Sequence, residues 1–324
     1  MASEDATEAT EEPRFWSEPI EGRGEEGRGA DGLGDDERSV SVDSMSEQRP
    51  RIEIDEALDK GWFEIWYQPK IDLKRKCLAG AEALARIRHP TMGVLLPGGF
   101  LPGVTEGSIA RLTEHALVTT LKNWSIFDEA GFNLHLSINV PVSVAFKLPI
   151  PALVEQHRPA SDQWPGIILE MTEDQLVRDP KLVHMIATQL RVNGIKIAID
   201  DFGAGYSSLS SLRELPFVEL KIDHGFVHDC ATDRTAAAIC QTAIDLAHRF
   251  GSAAVAEGVE TQADLLSLMS MGCDFGQGAL ISPPMTQEHF LDLLLQRTTK
   301  SRARAVAPGS DPVGPGHHLV DRVA

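Results

Sequence analysis

No stretch of this 324-residue chain approaches the ~20 consecutive apolar residues that a membrane-spanning helix needs. Its N-terminus, Met1-Ala2-Ser3-Glu4-Asp5, also lacks the apolar core of a secretory signal. A soluble cytoplasmic protein with no membrane partner is expected. Cysteine is scarce: the four residues Cys77, Cys230, Cys240 and Cys273 form no Cys-x-x-Cys pair and have no zinc-like spacing. They read as incidental thiols in a reducing compartment. Positive charge is in deficit too, with a formal net charge of -18. Such a surface repels polyanions, so no nucleic-acid polymer is expected as a partner.

The deficit is uneven. Residues 1–50 hold 15 acidic and 5 basic side chains, so much of the acidity belongs to a terminal segment and says little about an active surface. Residues 1–48 are rich in Glu, Gly, Ser and Asp, and repeat Glu-Gly-Arg-Gly at 21–24 and 26–29. They cannot bury enough apolar surface to offset the entropy of ordering, so a disordered acidic tail is expected there. Phe15 and Trp16 interrupt it, which leaves open a protein partner for the tail. A folded domain is expected over 49–299, and Pro308, Gly309, Pro312, Gly314, Pro315 and Gly316 mark 300–324 as a flexible C-terminal tail.

What the folded part contains is alternation. Eight strand-like runs, Phe63–Ile71, Ala79–Ile87, Leu134–Val140, Ile167–Thr172, Lys196–Asp201, Val218–Asp223, Ala253–Val259 and Phe275–Leu280, are separated by helical patterns. One helix carries Ile109, Leu112, Ala116 and Trp124; another carries Leu182, Ile186 and Leu190 and stops at Asn193-Gly194. A third precedes Gly251, and a fourth runs from Thr261 to Gly272. Eight strands with helical crossovers predict an α/β fold, a (β/α)8 TIM-type barrel. A doubly wound open sheet is the competitor, but no GxGxxG turn follows the first strand.

Strand after strand ends in an oxygen donor. The runs close on Asn139, Glu170, Asp200-Asp201 and Glu257, and Glu82 lies in the second strand. In a barrel these strand ends converge on one mouth. Any one of them could simply cap the next helix. Five carboxylates and an amide gathered together would repel unless cations intervened. An all-oxygen set points to magnesium or manganese rather than zinc, and hence to phosphate chemistry. Neighbouring residues in a strand face opposite ways, so Asp200 and Asp201 share one site only if the chain turns there; Gly203 and Gly205 allow a turn and a flexible loop over the site. Lys221 shares a strand face with Glu219 and Asp223. It reads either as a structural ion pair or as a group that orients a nucleophilic water. Arg86 reads either as a surface residue or as a phosphate clamp.

The ordered segments resemble the EAL-domain cyclic-di-GMP phosphodiesterases from about Ile52 to Met285. They are Tyr67-Gln68-Pro69, Glu82-Ala83-Leu84 with Arg86, Ser137-Ile138-Asn139, Glu170-Met171-Thr172-Glu173, Asp200-Asp201-Phe202-Gly203 with Gly205-Tyr206-Ser207-Ser208, Leu220-Lys221-Ile222-Asp223, Ala256-Glu257-Gly258-Val259-Glu260 and Gln277-Gly278. The resemblance implies a modified barrel whose first strand is antiparallel. It implies two Mg2+ or Mn2+ ions, one held by Glu82, Asn139, Glu170 and Asp200, the second with help from Asp201. A water activated between them would open the cyclic dinucleotide to linear pGpG. Lys221 and Glu257 would be catalytic, while Gln68, Leu84, Arg86, Asp223 and Gln277 would face substrate. Glu173 and Glu260 would position the loop after Asp201.

Departures from the family pattern lie at the rim. Gly99 replaces an acidic residue, and the segment Phe100–Glu106 is one residue short. Gln277-Gly278-Ala279 replaces Gln-Gly-Tyr, and Ser282-Pro283-Pro284 replaces Ser-Arg-Pro. These touch substrate affinity and the contacts of a homodimer. No GGDEF partner segment is expected. An active hydrolase is the leading expectation because every inferred ligand is present. The alternatives are a catalytically weak cyclic-di-GMP sensor acting through a partner, and another magnesium-dependent barrel enzyme acting on a sugar or organic phosphate.

Overall fold

The computed structural model describes residues 53–177, 180–203 and 215–305. The expected acidic tail 1–48, the chain beyond 305 and the loop Gly205–Ser208 lie outside the described residues. Among the described residues no helix is long and apolar enough to cross a membrane.

Alternation over its first six residues shapes the first strand, β1 (Phe63–Asp72), whose last four residues are all buried. Phe63, Ile65 and Tyr67 are buried toward the helical layer. The Tyr67 ring meets Phe127 at 5.2 Å and Phe290 at 5.6 Å, and its hydroxyl accepts a hydrogen bond from Asn123 Nδ2 at 2.9 Å. These contacts tie β1 to the helices Glu106–Glu129 and Gln287–Ala305. The intervening residues face inward. Lys70, 2% exposed, reaches Glu219 on a strand that is not its neighbour and donates to both carboxylate oxygens at 2.5 and 2.6 Å.

The remaining strands are β2 (Cys77–His89), β3 (Gly93–Leu95), β4 (His135–Asn139), β5 (Ile167–Thr172), β6 (Ile195–Phe202), β7 (Glu219–Ile222), β8 (Ala253–Ala256), β9 (Phe275–Gly276) and β10 (Met285–Thr286). β2 and β4 through β9 are consecutive parallel neighbours, and β1 closes the cylinder by pairing antiparallel with both β2 and β9. This is an eight-stranded TIM-like barrel with its first strand reversed. β3 and β10 are short additions pairing with β2 and β1, too brief for periodicity to reveal. All eight expected strands are present. The last two are shorter than the apolar runs suggested, because the backbone turns at Gly258 (φ +65°) and Gly278 (φ +157°). At Gly278 a Cβ would stand 2.2 Å from the Val259 backbone nitrogen, so only glycine lets these two segments approach.

The helices follow their sequence punctuation. Thr105 and Thr261 cap their helices by accepting from Ser108 and Asp264 backbone N–H groups, and Gly272 ends its helix in the left-handed conformation. The helix beginning at Gln287 runs past residue 299 to Ala305.

Candidate active site

The parallel strands share a direction, so their C-terminal ends open on one mouth. Register aligns the polar residues there: Asn139 lies beside Glu170, Thr172 beside Asp200, and Gln68 of β1 opposite Glu82. Between β6 and β7 the pairing slips between Ile199 and Phe202. Asp201, inside that bulge, adopts φ +54°, a left-handed conformation that Asp tolerates better than most residues. The irregularity brings neighbouring carboxylates to one side of the strand. One carboxylate oxygen each from Asp200, Asp201 and Glu257 lies within 4.8 Å of the others. Gly203 completes the turn, and its N–H donates to Glu173 Oε2 at 2.9 Å.

Lys221 stands at the centre of the cluster with its side chain 1% exposed. Its Nζ is 2.6 Å from Glu257 Oε1, 2.7 Å from Glu170 Oε2, 2.9 Å from Asp200 Oδ1 and 3.4 Å from Glu82 Oε2. Two amides extend the network. Asn139 Nδ2 donates to Glu82 Oε1 at 2.7 Å, and Gln277 Nε2 donates to Glu82 Oε2 at 2.6 Å and Glu257 Oε1 at 3.1 Å. Gln277, assigned to the substrate face by resemblance, is thus also part of the carboxylate network.

One ammonium does not balance these acids. Burial pushes the Glu257 carboxyl up to about 8, with Asp200 and Glu82 adding to the rise and Lys221 opposing it. Burial, and then the neighbouring Glu82, hold the Glu170 carboxyl well above the usual carboxylate range. Asp201 is raised by burial and by Asp200. Burial also works against the charge on Glu82, but there Lys221 and Gln277 prevail and the carboxyl sits below its ordinary value. Burial disfavours charge on Lys221 as well, yet the four acids around it keep its pKa well above that of a free lysine.

Among the described residues two acceptors of the cluster stay unsatisfied: Glu170 Oε1 is buried without a hydrogen-bond partner, and Asp200 Oδ1 faces Nζ as an ion pair without hydrogen-bonding direction. An all-oxygen donor set with idle buried acceptors and excess negative charge fits hard divalent cations.

The other predicted residues scatter around this centre. Gln68 donates to the Ser282 carbonyl at 3.3 Å. Leu84 is half-buried on β2. Arg86 is 7% exposed and donates from Nη1 to its neighbour's carbonyl. Asp223 accepts from the Gly225 N–H at 2.9 Å, capping a short helix. Glu260 is exposed and makes no hydrogen bond or ion pair among the described residues. Glu219, on the same strand face as Lys221, pairs instead with Lys70 deeper in the barrel. Trp66 belongs to no motif quoted above; only alternation in β1, which puts it on the face of Gln68, could have drawn attention to it.

The sequence matches the EAL domain family over residues 51–284. It is 37% identical over 245 residues to the cyclic di-GMP phosphodiesterase RocR of Pseudomonas aeruginosa, a match covering 72% of this chain and 60% of that protein. The chain therefore spans less than two thirds of that relative's length. Among solved structures, the PaMucR phosphodiesterase in complex with c-di-GMP superposes with a TM-score of 0.67 at 33% identity, covering 73% of this chain and 97% of the other. Klebsiella pneumoniae BlrP1, in a manganese and cyclic-di-GMP complex, gives a TM-score of 0.61 at 26% identity over 70% and 56% of the two chains.

Proposed function

The chain belongs to the EAL domain family, and on that premise we propose that it is a cytoplasmic, metal-dependent phosphodiesterase that hydrolyses cyclic-di-GMP to linear pGpG. The observation that carries this reading is the cluster of four carboxylates within 3.4 Å of Lys221, in a chain similar to a cyclic di-GMP phosphodiesterase over 72% of its length. Glu82, Asn139, Glu170 and Asp200 would hold one Mg2+ or Mn2+ ion, and Asp201 would help to hold a second. Two such ions supply an activated water and neutralise charge on the phosphoryl oxygens.

The chain's own residues do the rest. Lys221 keeps its proton and places a fixed positive charge where negative charge builds on the phosphoryl group. Gln277 fixes the directions of Glu82 and Glu257 by donating to both. Glu257, whose carboxyl lies near 8 without metal, would give up that proton when cations bind and then assist beside them as a base. Asn139 is a neutral donor set that limits the excess negative charge met by an anionic substrate. Gln68, Leu84, Arg86 and Asp223 bound the mouth where the dinucleotide enters, and Glu173 anchors the turn at Gly203.

The test is chromatography of the products after incubating the purified chain with cyclic-di-GMP and magnesium. Linear pGpG is expected. Binding of cyclic-di-GMP with no product at high protein concentration would replace the hydrolase by a sensor.

A further inference from the structure

Glu64, Trp66 and Gln68 follow one another on the inner face of β1 and lie opposite Arg86, Leu84 and Glu82. These rungs climb from floor to rim. β2 runs parallel to β4, so its later residues lie nearer the mouth, and Arg88, just beyond the last rung, is exposed. Trp66 therefore stands one rung above the Gln68–Glu82 pair, at the mouth.

Its indole is fixed there. Nε1–H donates to Glu64 Oε2 at 2.9 Å, and the same carboxylate accepts from Arg88 Nε at 2.5 Å and Nη2 at 2.9 Å. The Arg86 guanidinium lies over the ring, 6.0 Å from its centroid. Arg86 itself is incompletely used: it is 7% exposed, and among the described residues its Nε is buried without a hydrogen-bond partner. No carboxylate pairs with it among the described residues. A buried guanidinium with an idle donor costs free energy until a ligand satisfies it. An aromatic plate carrying a cation is also a surface on which flat, acceptor-rich rings stack.

Resting on the phosphodiesterase reading above, we propose that Trp66 is a specificity-determining residue of the substrate mouth, forming with the Arg86 guanidinium a stacking wall for one purine base of the cyclic dinucleotide. Glu64 and Arg88 hold the indole in plane, so the wall is in place before substrate arrives and little side-chain freedom is lost on binding. Purines offer a larger π-face than pyrimidines, so the wall favours cyclic-di-GMP over cyclic-di-UMP. It touches the base and not the reacting phosphorus, so its loss appears in KM and leaves kcat nearly unchanged.

The experiment compares the wild-type chain with Trp66→Phe and Trp66→Leu, using both dinucleotides, by steady-state kinetics with magnesium and by equilibrium dialysis without metal. Leucine keeps an apolar side chain at this rung but has no π-face. The Leu variant is expected to raise KM and the dialysis Kd for cyclic-di-GMP by about 10-fold or more, with kcat within about 3-fold and a narrowed preference over cyclic-di-UMP. The Phe variant should stay within about 3-fold of wild type, and both variants should melt within about 3 °C of it. Unchanged KM and Kd in the Leu variant would overturn the proposal, as would an equal loss for both dinucleotides. If the wild type binds cyclic-di-GMP without turning it over, the phosphodiesterase reading fails, while the dialysis series still decides the role of Trp66.

Discussion

Lys221 Nζ and Glu170 Oε2 meet at 2.7 Å with each side chain only 1% exposed. At that depth burial works against charge on both: the surrounding acids outweigh it for the ammonium, whereas the Glu170 carboxyl stays well above the usual carboxylate range. The ammonium in turn lets Glu82 stay ionised. Removing one member of such a buried set leaves the others uncompensated, at a cost of about 3–5 kcal/mol.

Replacement Lys221→Met is therefore expected to destabilise the metal-free chain by that order, read by urea denaturation. Saturating Mg2+ should recover more stability in the variant than in the wild type, because a cation replaces the missing charge. Turnover should fall by about 100-fold or more. A variant as stable and as active as the wild type would remove Lys221 from the site's electrostatics.

The turn at Asp201 separates conformation from charge. Asn adopts the left-handed conformation about as readily as Asp, whereas a β-branched residue is strained there. Asp201→Asn is expected to keep the melting temperature within about 3 °C and to weaken Mn2+ binding by about 10-fold, measured by calorimetry. Asp201→Val is expected to melt lower as well. Equal metal affinity in the wild type and the Asn variant would show that the charge of Asp201 does not act on the metal.

The pH dependence of the metal-free chain follows from Glu257 and Glu170. The Glu257 carboxyl titrates from its ordinary 4.5 up to about 8 on folding, and Glu170 is raised in the same direction. Across that window the folded state binds more protons than the unfolded state, so these groups make stability fall as pH rises. A cation displaces the same protons, so its affinity strengthens with pH. The increase in melting temperature on adding Mg2+ is expected to be larger at about pH 8 than at about pH 6. A constant or shrinking increase would contradict these protonation states.

Glu82 joins more of the cluster than any other acid, facing Asn139, Gln277 and Lys221. Glu82→Ala removes two acceptor oxygens at once and is expected to abolish turnover through lost metal binding, checked by calorimetry with Mn2+ alongside the activity assay. Unchanged activity would refute its ligand role.

The barrel and its strand-end acids were legible because both follow from periodicity. Apolar runs of strand length end in Asn139, Glu170, Asp200 and Glu257, and parallel strands bring such ends together. The turn at Asp201 was legible for the same reason, since adjacent residues cannot share a face without one. Periodicity could not show the two-residue β10, nor the place where β8 and β9 stop, which depends on the backbone approach of Gly278 to Val259. Partners across the barrel were also hidden: Glu219 shares a strand face with Lys221, yet it answers Lys70 on β1 instead. Trp66 was missed because its rung matters only once β1 is known to run against β2 in that register.

The central claim is that the carboxylates around Lys221 form a hydrolytic site that works only with divalent metal. The most direct measurement titrates Mg2+ or Mn2+ into chelator-stripped protein and follows the rate of linear pGpG formation from cyclic-di-GMP. The account predicts no product before metal is added and a rate that rises to saturation with it. Product from the metal-free chain, or none at any metal concentration, would contradict it.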